Sequence, residues 1–232
     1  MSQVFQHSEG IILRVIPFRD YDNILSLLTP DAGLIKLIYH GSRSKSRGMQ
    51  GLCIPLTKVE AVYREKASEI FVCEEMRLIE SFSNLRQELH HLEVACDLLH
   101  VVASSQLVGK SAPALYALLS FFLQKIPLTL FPLALAVSFR LKLLKHDGIL
   151  AFPFICPACG QELLSEAYPY ADEVWCESHR HVGSKTWGQM ELKQLYRLAE
   201  AQSFQGIQSE KVSPELYQQV SSFFDSCIKS SS

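Results

Sequence analysis

Two short clamps of metal-binding residues carry the clearest chemistry in the chain: Cys156-Pro157-Ala158-Cys159-Gly160 and Cys176-Glu177-Ser178-His179, sixteen residues apart. A two-residue spacer lets the backbone curl so that both side chains face one way, and the intervening loop carries the second pair across to complete a tetrahedron. Four protein ligands fill the shell of a zinc ion and leave no position for an activated water, so the spacing predicts a structural Zn2+ site rather than a catalytic one. His181 stands near enough in sequence to replace His179 as fourth ligand. The competing reading makes Cys156 and Cys159 a redox pair or buried thiols, with His179 on the surface. Cys53, Cys73, Cys96 and Cys227 fall on strand or helix patterns and read as small buried hydrophobes. An odd total of seven cysteines argues against a disulfide framework.

A second chemical feature is a local excess of cations. Between Asp31 and Glu60 no acidic residue occurs, whereas Lys36, Arg43, Lys45, Arg47 and Lys58 all lie there. The centre, from His40 to Gly48, interleaves cations with small hydroxyl residues, as a loop reaching along a phosphate backbone would. Such contacts give salt-sensitive affinity with almost no sequence preference. The candidate DNA-contacting set is Arg14, Lys36, Tyr39, Arg43, Lys45 and Arg47, with Phe18, Tyr21 and Tyr63 as further stacking candidates. The bland alternatives are a solvated loop and aromatics that fill the core or rim of a barrel.

The elements that must position these residues fall into two patterns. From Gly10 to about Ile79, short apolar runs separated by turns read as five strands: around Ile11 to Ile16, Ile24 to Leu28, Leu34 to Tyr39, Thr57 to Tyr63, and Ile70 to about Ile79 with a possible break at Glu74-Glu75. Five short strands in so few residues suit a small closed barrel, which removes the exposed edges of an open sheet. After Ser81 the period changes: Leu85, Leu89, Leu92, Cys96, Leu99 and Val102 form one helical stripe, with Ser83 or Asn84 as cap. Further helices are expected over Ala112 to Gln124, Thr129 to His146, Gly188 to Ala201 and Pro214 to Ile228, the last capped by Ser213. The expected architecture is therefore α+β and multidomain: a five-stranded OB-fold barrel over residues 1–80, then an all-helical domain over 81–232 with an inserted zinc-binding region at 152–184.

Composition sets the outer limits. The 232 residues are 48% hydrophobic and 20% charged with a net charge of -2, so any polyanion site must be a local patch. The most apolar stretch, Ala112 to Leu144, fails as a membrane span: Lys125 and Arg140 leave fourteen residues between them, with Pro127 and Pro132 inside. Met1 to Glu9 lacks the basic-then-apolar order of a secretory signal, which points to the cytoplasm. There is no Gly-x-x-x-x-Gly-Lys loop, so ATP-driven work would belong to a partner.

With these residues in view, the chain resembles the RecO family of bacterial recombination mediators. The likeness is carried by Glu9 to Arg14, Tyr21-Asp22, Leu25 to Thr29, Gly33 to Lys36, Gly41 to Arg47, the helix Phe139 to Leu144 before a glycine, and the clamps that follow. The resemblance implies a non-enzymatic, nucleoid-associated DNA-repair protein that binds single- and double-stranded DNA and anneals complementary strands. With RecR it would promote RecA loading onto DNA covered by single-strand-binding protein, whose acidic C-terminal tail the helical domain would hold. Phe139, Arg140, Lys142 and Lys145 are candidates for that tail contact by charge and apolar character. Many relatives use four cysteines at the zinc, where this chain has His179 in the last place.

Two rival classes remain open. His91-Leu92-Glu93 with Cys156 and Cys159 superficially matches a zinc-dependent nucleobase deaminase, but Ile155 replaces the expected proline and Cys176 and His179 would go unused. A protein-interaction scaffold without DNA binding would differ in one observable, the salt dependence of oligonucleotide binding.

Overall fold

Alternating apolar residues between Phe5 and Glu80 curl the chain into five strands: β1 (Phe5–Phe18), β2 (Asp22–Thr29), β3 (Gly33–Tyr39), β4 (Thr57–Arg64) and β5 (Ile70–Glu80). The computed structural model describes residues 5–41, 52–65 and 69–231. The strands close into a barrel in the order β1-β2-β3-β5-β4, antiparallel throughout except for the β3–β5 pair. This is the five-stranded barrel that the sequence predicts, in an arrangement that fits an OB-fold.

One long strand makes the closure possible. β1 pairs with β4 from Phe5↔Arg64 to Ile12↔Thr57 and with β2 from Ile11↔Leu28 to Phe18↔Asp22, and a bulge at Leu13 lets it turn from one partner to the other. The strand begins at Phe5, earlier than the expected Gly10, because its first residues complete the β4 edge. The break expected at Glu74-Glu75 is a second bulge: Val62 pairs with Glu75 and Tyr63 with Cys73, leaving Glu74 as the extra residue. Leu25, Leu27, Ile35, Leu37, Val59 and Ala61 fill the interior.

The compact unit around the barrel runs from Met1 to Pro127, beyond the change of period near residue 80. Helices α1 (Leu89–Ser105) and α2 (Pro113–Lys125) belong to it. The segment between them is tied along the β2–β3 turn by Gly109 N–H to Leu34 O (2.9 Å) and Ala112 N–H to Pro30 O (3.1 Å). Gly33 in that turn has φ +64°, and a Cβ there would lie 1.8 Å from the Lys110 carbonyl oxygen. Two local expectations are corrected. Ser83 and Asn84 do not cap α1; they form a 3-10 turn, Ser83–Arg86, that buries Leu85, and the helix starts at Leu89. Its buried stripe is Val94, Ala95, Leu98, Leu99, Val101 and Val102, rotated so that Cys96 is exposed.

The second unit, Leu128–Ser232, is built on α3 (Pro132–His146), whose residues from Ala134 to Leu141 are all buried. Its apolar first half sits inside the unit, and Ser138 and Arg140 are buried with it, while Lys145 and His146 at its end are exposed. Gly148 (φ +72°) ends it: Ile149 N–H bonds Leu144 O at 2.9 Å and Gly148 N–H bonds Lys145 O at 3.1 Å. Around it pack α4 (Gln189–Glu200), α5 (Phe204–Gln208) and α6 (Pro214–Ser231), the last capped by Ser213 Oγ accepting from Leu216 N–H at 3.1 Å. Between α3 and α4 a small hairpin, β6 (Tyr168–Tyr170) and β7 (Glu173–Trp175), interrupts the region that the sequence reads as irregular. Among the described residues no helix is long and apolar enough to cross a membrane.

Candidate metal centre and nucleic-acid interface

The backbone prepares each clamp before the side chains meet. At the first, Gly160 N–H bonds Cys156 O (2.8 Å) and Cys156 N–H bonds Gln161 O (2.9 Å), and the αL glycine closes a tight knuckle. At the second, Cys176 leads into a 3-10 turn, Glu177–His179, closed by His179 N–H to Cys176 O at 3.1 Å. The four ligand atoms of Cys156, Cys159, Cys176 and His179 consequently lie within 4.8 Å of one another. A tetrahedral ion with bonds to sulfur of about 2.3 Å has ligand edges of about 3.8 Å. Cys159 Sγ and Cys176 Sγ are 3.8 Å apart, and His179 Nδ1 lies 3.2 Å from Cys176 Sγ and 3.8 Å from Cys156 Sγ. The donor set and its spacing fit a zinc-sized ion.

Electrostatics favours thiolate at the innermost ligand. Burial raises the pKa of Cys156, but the backbone N–H groups of Cys176, Cys159 and Ala158 around its sulfur outweigh burial and bring it to about 6. His181, the alternative fourth ligand, is engaged elsewhere: its ring stacks on Tyr170 (4.3 Å between centroids, 12°) and meets Trp175 edge-on at 4.7 Å. His91 lies on α1 in the first unit and is not one of the four converging residues.

The metal loop is welded to the helical core by contacts that no sequence motif announces. Tyr196 on α4 accepts from Phe154 N–H at 3.0 Å and donates to Leu163 O at 2.5 Å, one hydroxyl bridging both sides of the knuckle. Burial pushes the Tyr196 phenol up to about 12. Trp187 is wholly buried, with ring centroids 5.5 Å from Phe154 and 5.4 Å from Phe223.

In the first unit, the outer face of β1–β2–β3 carries two of the cations that the sequence singles out, Arg14 and Lys36, while Lys58 lies on β4 and pairs with Glu9 at 3.4 Å. Arg14 pairs with Ser26, and Ser26 with Lys36, so the three form one row across the strands. Residues in such a row share a face, and two strand spacings put Arg14 and Lys36 roughly 10 Å apart. Lys36 is also 3.9 Å from Glu69. Next to this row runs an apolar one, Ile16–Ile24–Ile38, with Ile16 exposed. In the turn beyond it, Tyr21 is 63% exposed and Arg19 lies over the Phe18 ring at 5.1 Å.

Asp22 joins this turn to the start of the basic segment. Its carboxylate accepts from Gly41 N–H (2.9 Å) and meets His40 Nδ1 (2.9 Å), and the Gly41 and His40 bonds hold its pKa below the usual 3.8. Arg43, Lys45 and Arg47 lie outside the described residues. A groove of about 720 Å3 is lined by His7, Glu60, Glu74, Glu75 and Arg77 among others, with Glu60 paired to His7 (3.2 Å) and Arg77 (3.5 Å) and Glu74 to Arg64 (3.0 Å).

Several sequence assignments need correction. Tyr39 and Tyr63 are 2% and 3% exposed and pack inside the barrel, so they form core rather than a stacking surface. Phe139 is fully buried, because every face of α3 is covered. Arg140, 4% exposed, lies over the rings of Tyr217 and Phe224 and bonds Ala136 O. Lys142 donates to the carbonyls of Ala199 (3.1 Å) and Ala201 (2.7 Å), and Lys145 pairs with Glu200 at 2.7 Å. Phe139 and Arg140 are thus covered within the helical unit, whereas Lys142 is half-buried against the end of α4 and Lys145 stays exposed beside Glu200.

Comparison with known proteins places the molecule. Residues 1–82 match Recombination protein O N terminal, and residues 86–231 match Recombination protein O C terminal. The chain belongs to the RecO family. Relatives named DNA repair protein RecO agree over most of their length: one from Chlamydia trachomatis serovar L2 is 26% identical over 85% of this chain and 82% of its own. One from Chlamydia pneumoniae is 24% identical over 84% and 77%, and one from Synechococcus sp. (strain JA-3-3Ab) is 28% identical over 78% and 64%. The two RecO matches meet between residues 82 and 86, where strand periodicity gives way to helical periodicity, whereas the first compact unit extends to Pro127.

Proposed function

We propose that this chain is a non-enzymatic DNA-repair mediator whose barrel binds single- and double-stranded DNA through the outer face of β1–β3 and the basic segment that follows β3. The observation that carries the reading is the row Arg14–Ser26–Lys36 across the three strands that precede the basic segment in the chain, in a member of a family whose relatives are named for DNA repair. Cations would meet phosphates while Ile16, the exposed end of the isoleucine row, and the Phe18–Tyr21 turn take the bases.

The second unit would bind Zn2+ at Cys156, Cys159, Cys176 and His179 as a structural staple. When bound, the ion supplies folding free energy and no reaction step, since four protein ligands leave no open position. This also supports a non-catalytic reading over nucleobase deamination. In the cell the protein would act in the cytoplasm at the nucleoid, anneal complementary strands, and with RecR promote RecA loading onto DNA covered by single-strand-binding protein.

The test is fluorescence anisotropy with labelled single-stranded DNA at two salt concentrations, on wild type and on a variant with Arg43, Lys45 and Arg47 changed to Ala. Binding should weaken alike for every sequence in the variant, and the salt slope should flatten. Wild-type protein that ignores oligonucleotides in dilute buffer would reduce it to a protein-interaction scaffold.

A further inference from the structure

The three sulfurs of the candidate zinc site are unequally shielded. Cys156 is wholly buried and Cys176 is 7% exposed, whereas Cys159 lies on the solvent side of the knuckle, with Ala158 and Gly160 exposed beside it. A dissolved oxidant therefore meets one ligand first. Oxidants attack thiolate, and a sulfur on zinc is held in that form. Cysteines that oxidise reversibly are accessible thiolates with a second thiol close enough to resolve the first product.

Cys159 has such a neighbour: its Sγ lies 3.8 Å from Cys176 Sγ. A disulfide needs about 2.05 Å between sulfurs, so the pair must close by less than about 2 Å. The knuckle can supply that movement, because Pro157 to Gly160 is an exposed turn ending in the αL Gly160, whereas Cys176 is fixed between β7 and a 3-10 turn. The donor set then decides what happens to the ion. Three thiolates and one imidazole converge, so a single disulfide leaves only Cys156 and His179, half of a tetrahedral shell. A site of four cysteines would keep two thiolates, and this one keeps a single thiolate.

We propose that Cys159 and Cys176 are a redox modification site, joined by hydrogen peroxide into a reversible disulfide that expels zinc from the second unit. The Cys159 thiolate attacks one peroxide oxygen: an S–O bond forms, the O–O bond breaks, and the departing hydroxide takes a proton to become water. The Cys176 thiolate then attacks the sulfenic sulfur, forming the S–S bond and breaking S–O, and the second hydroxide leaves as water after protonation. Two thiolates are oxidised by two electrons in all, and the peroxide is reduced to two waters. The Tyr196 hydroxyl, bonded to Phe154 and Leu163 on both sides of the knuckle, does not depend on the ion and keeps the oxidised loop in place for reduction by a dithiol. The proposal rests on the zinc-staple reading and adds a chemical release to it.

The test treats the full chain, reduced and loaded with zinc, with hydrogen peroxide in the presence of a zinc-chelating dye. Zinc should leave in step with the loss of two thiols, and peptide mapping without reductant should find Cys159 bonded to Cys176. Dithiothreitol with added zinc should reverse both changes. Both tryptophans, Trp175 and Trp187, lie in the second unit, so their emission should shift on release and return on reduction. Cys159→His offers zinc another ligand it accepts and removes the exposed thiol, so it should keep its metal under peroxide. Where that variant fails to fold, the wild-type map decides alone. Cys96→Ser removes the other exposed cysteine and should leave release unchanged. Zinc that stays bound under peroxide, a Cys156–Cys159 bond, release through over-oxidised sulfur with no disulfide, or release that requires Cys96 overturns this proposal alone. A reduced chain that takes up no zinc overturns the staple reading itself.

Discussion

Lys142→Met separates the structural role of α3 from a role in holding a partner. The substitution keeps the apolar stem and removes only the ammonium that donates to Ala199 O and Ala201 O at the C-terminal end of α4. Hydrogen bonds from a charged donor contribute about 1.5–3 kcal/mol each in protected sites, and a cation at a helix C-terminus adds a further fraction. Two discounts apply, because the side chain is half-buried and solvent screens it, and because removing the cation also relieves its desolvation. The net loss should be about 1–2 kcal/mol, which for a chain of this size lowers Tm by roughly 3–6 °C.

The pH dependence has a definite sign. Burial lowers the Lys142 pKa below its usual 10.5, although Glu200 pulls it back in part. The unfolded chain therefore holds this proton more tightly than the folded one, and wild type gains stability over the variant as pH rises through the lowered pKa. Differential scanning calorimetry between neutral pH and pH 10 reads both effects. A variant as stable as wild type that loses affinity for an acidic tail peptide would refute the capping role.

Other expected outcomes are more direct. Cys176→Ser should lose bound zinc, measured by metal analysis, and lower both yield and Tm; a metal-loaded variant of unchanged Tm would remove Cys176 from the ligand set. Tyr196→Phe should cost about 1–3 kcal/mol in chemical denaturation, because the Phe154 amide and Leu163 carbonyl both lose their partner, and a neutral result would show that water replaces the hydroxyl. Asp22→Asn should narrow stability in acid. The wild-type carboxylate, with its pKa held below 3.8, stabilises the fold above that pH and loses the contribution as pH falls through the lowered value, so the two proteins should converge in strong acid. Gly33→Ala should destabilise the barrel by more than about 2 kcal/mol, since both the positive φ and the Lys110 carbonyl oppose a side chain.

What the sequence made legible was periodic or closely spaced. The five strands and the zinc-sized clamps belong to that class, because alternation and two-residue spacers act through the local backbone, whereas the row Arg14–Ser26–Lys36 emerges only from the strand register. Tyr39 and the α3 residues were misjudged for one reason: residue type reports chemistry, and burial depends on which neighbouring elements cover each face. Phe139 and Arg140 look like a basic-apolar docking patch until α6 places Tyr217 and Phe224 against the guanidinium. Cys96 went astray through a small rotation of its helix, since Leu85 belongs to a separate turn and the stripe had been phased from it. Tyr196 leaves no trace in the sequence at all, because its partners, Phe154 and Leu163, lie far along the chain.

The closing of the barrel by a parallel β3–β5 pair has a consequence during synthesis. β1, β2 and β3 can form a meander as they emerge, but β5, made last, must bridge β3 and β4 before any edge is sealed. Nascent chains arrested before Glu80 leaves the ribosome should therefore remain protease-sensitive throughout the first eighty residues, and resistance should arrive in one step once that strand is free.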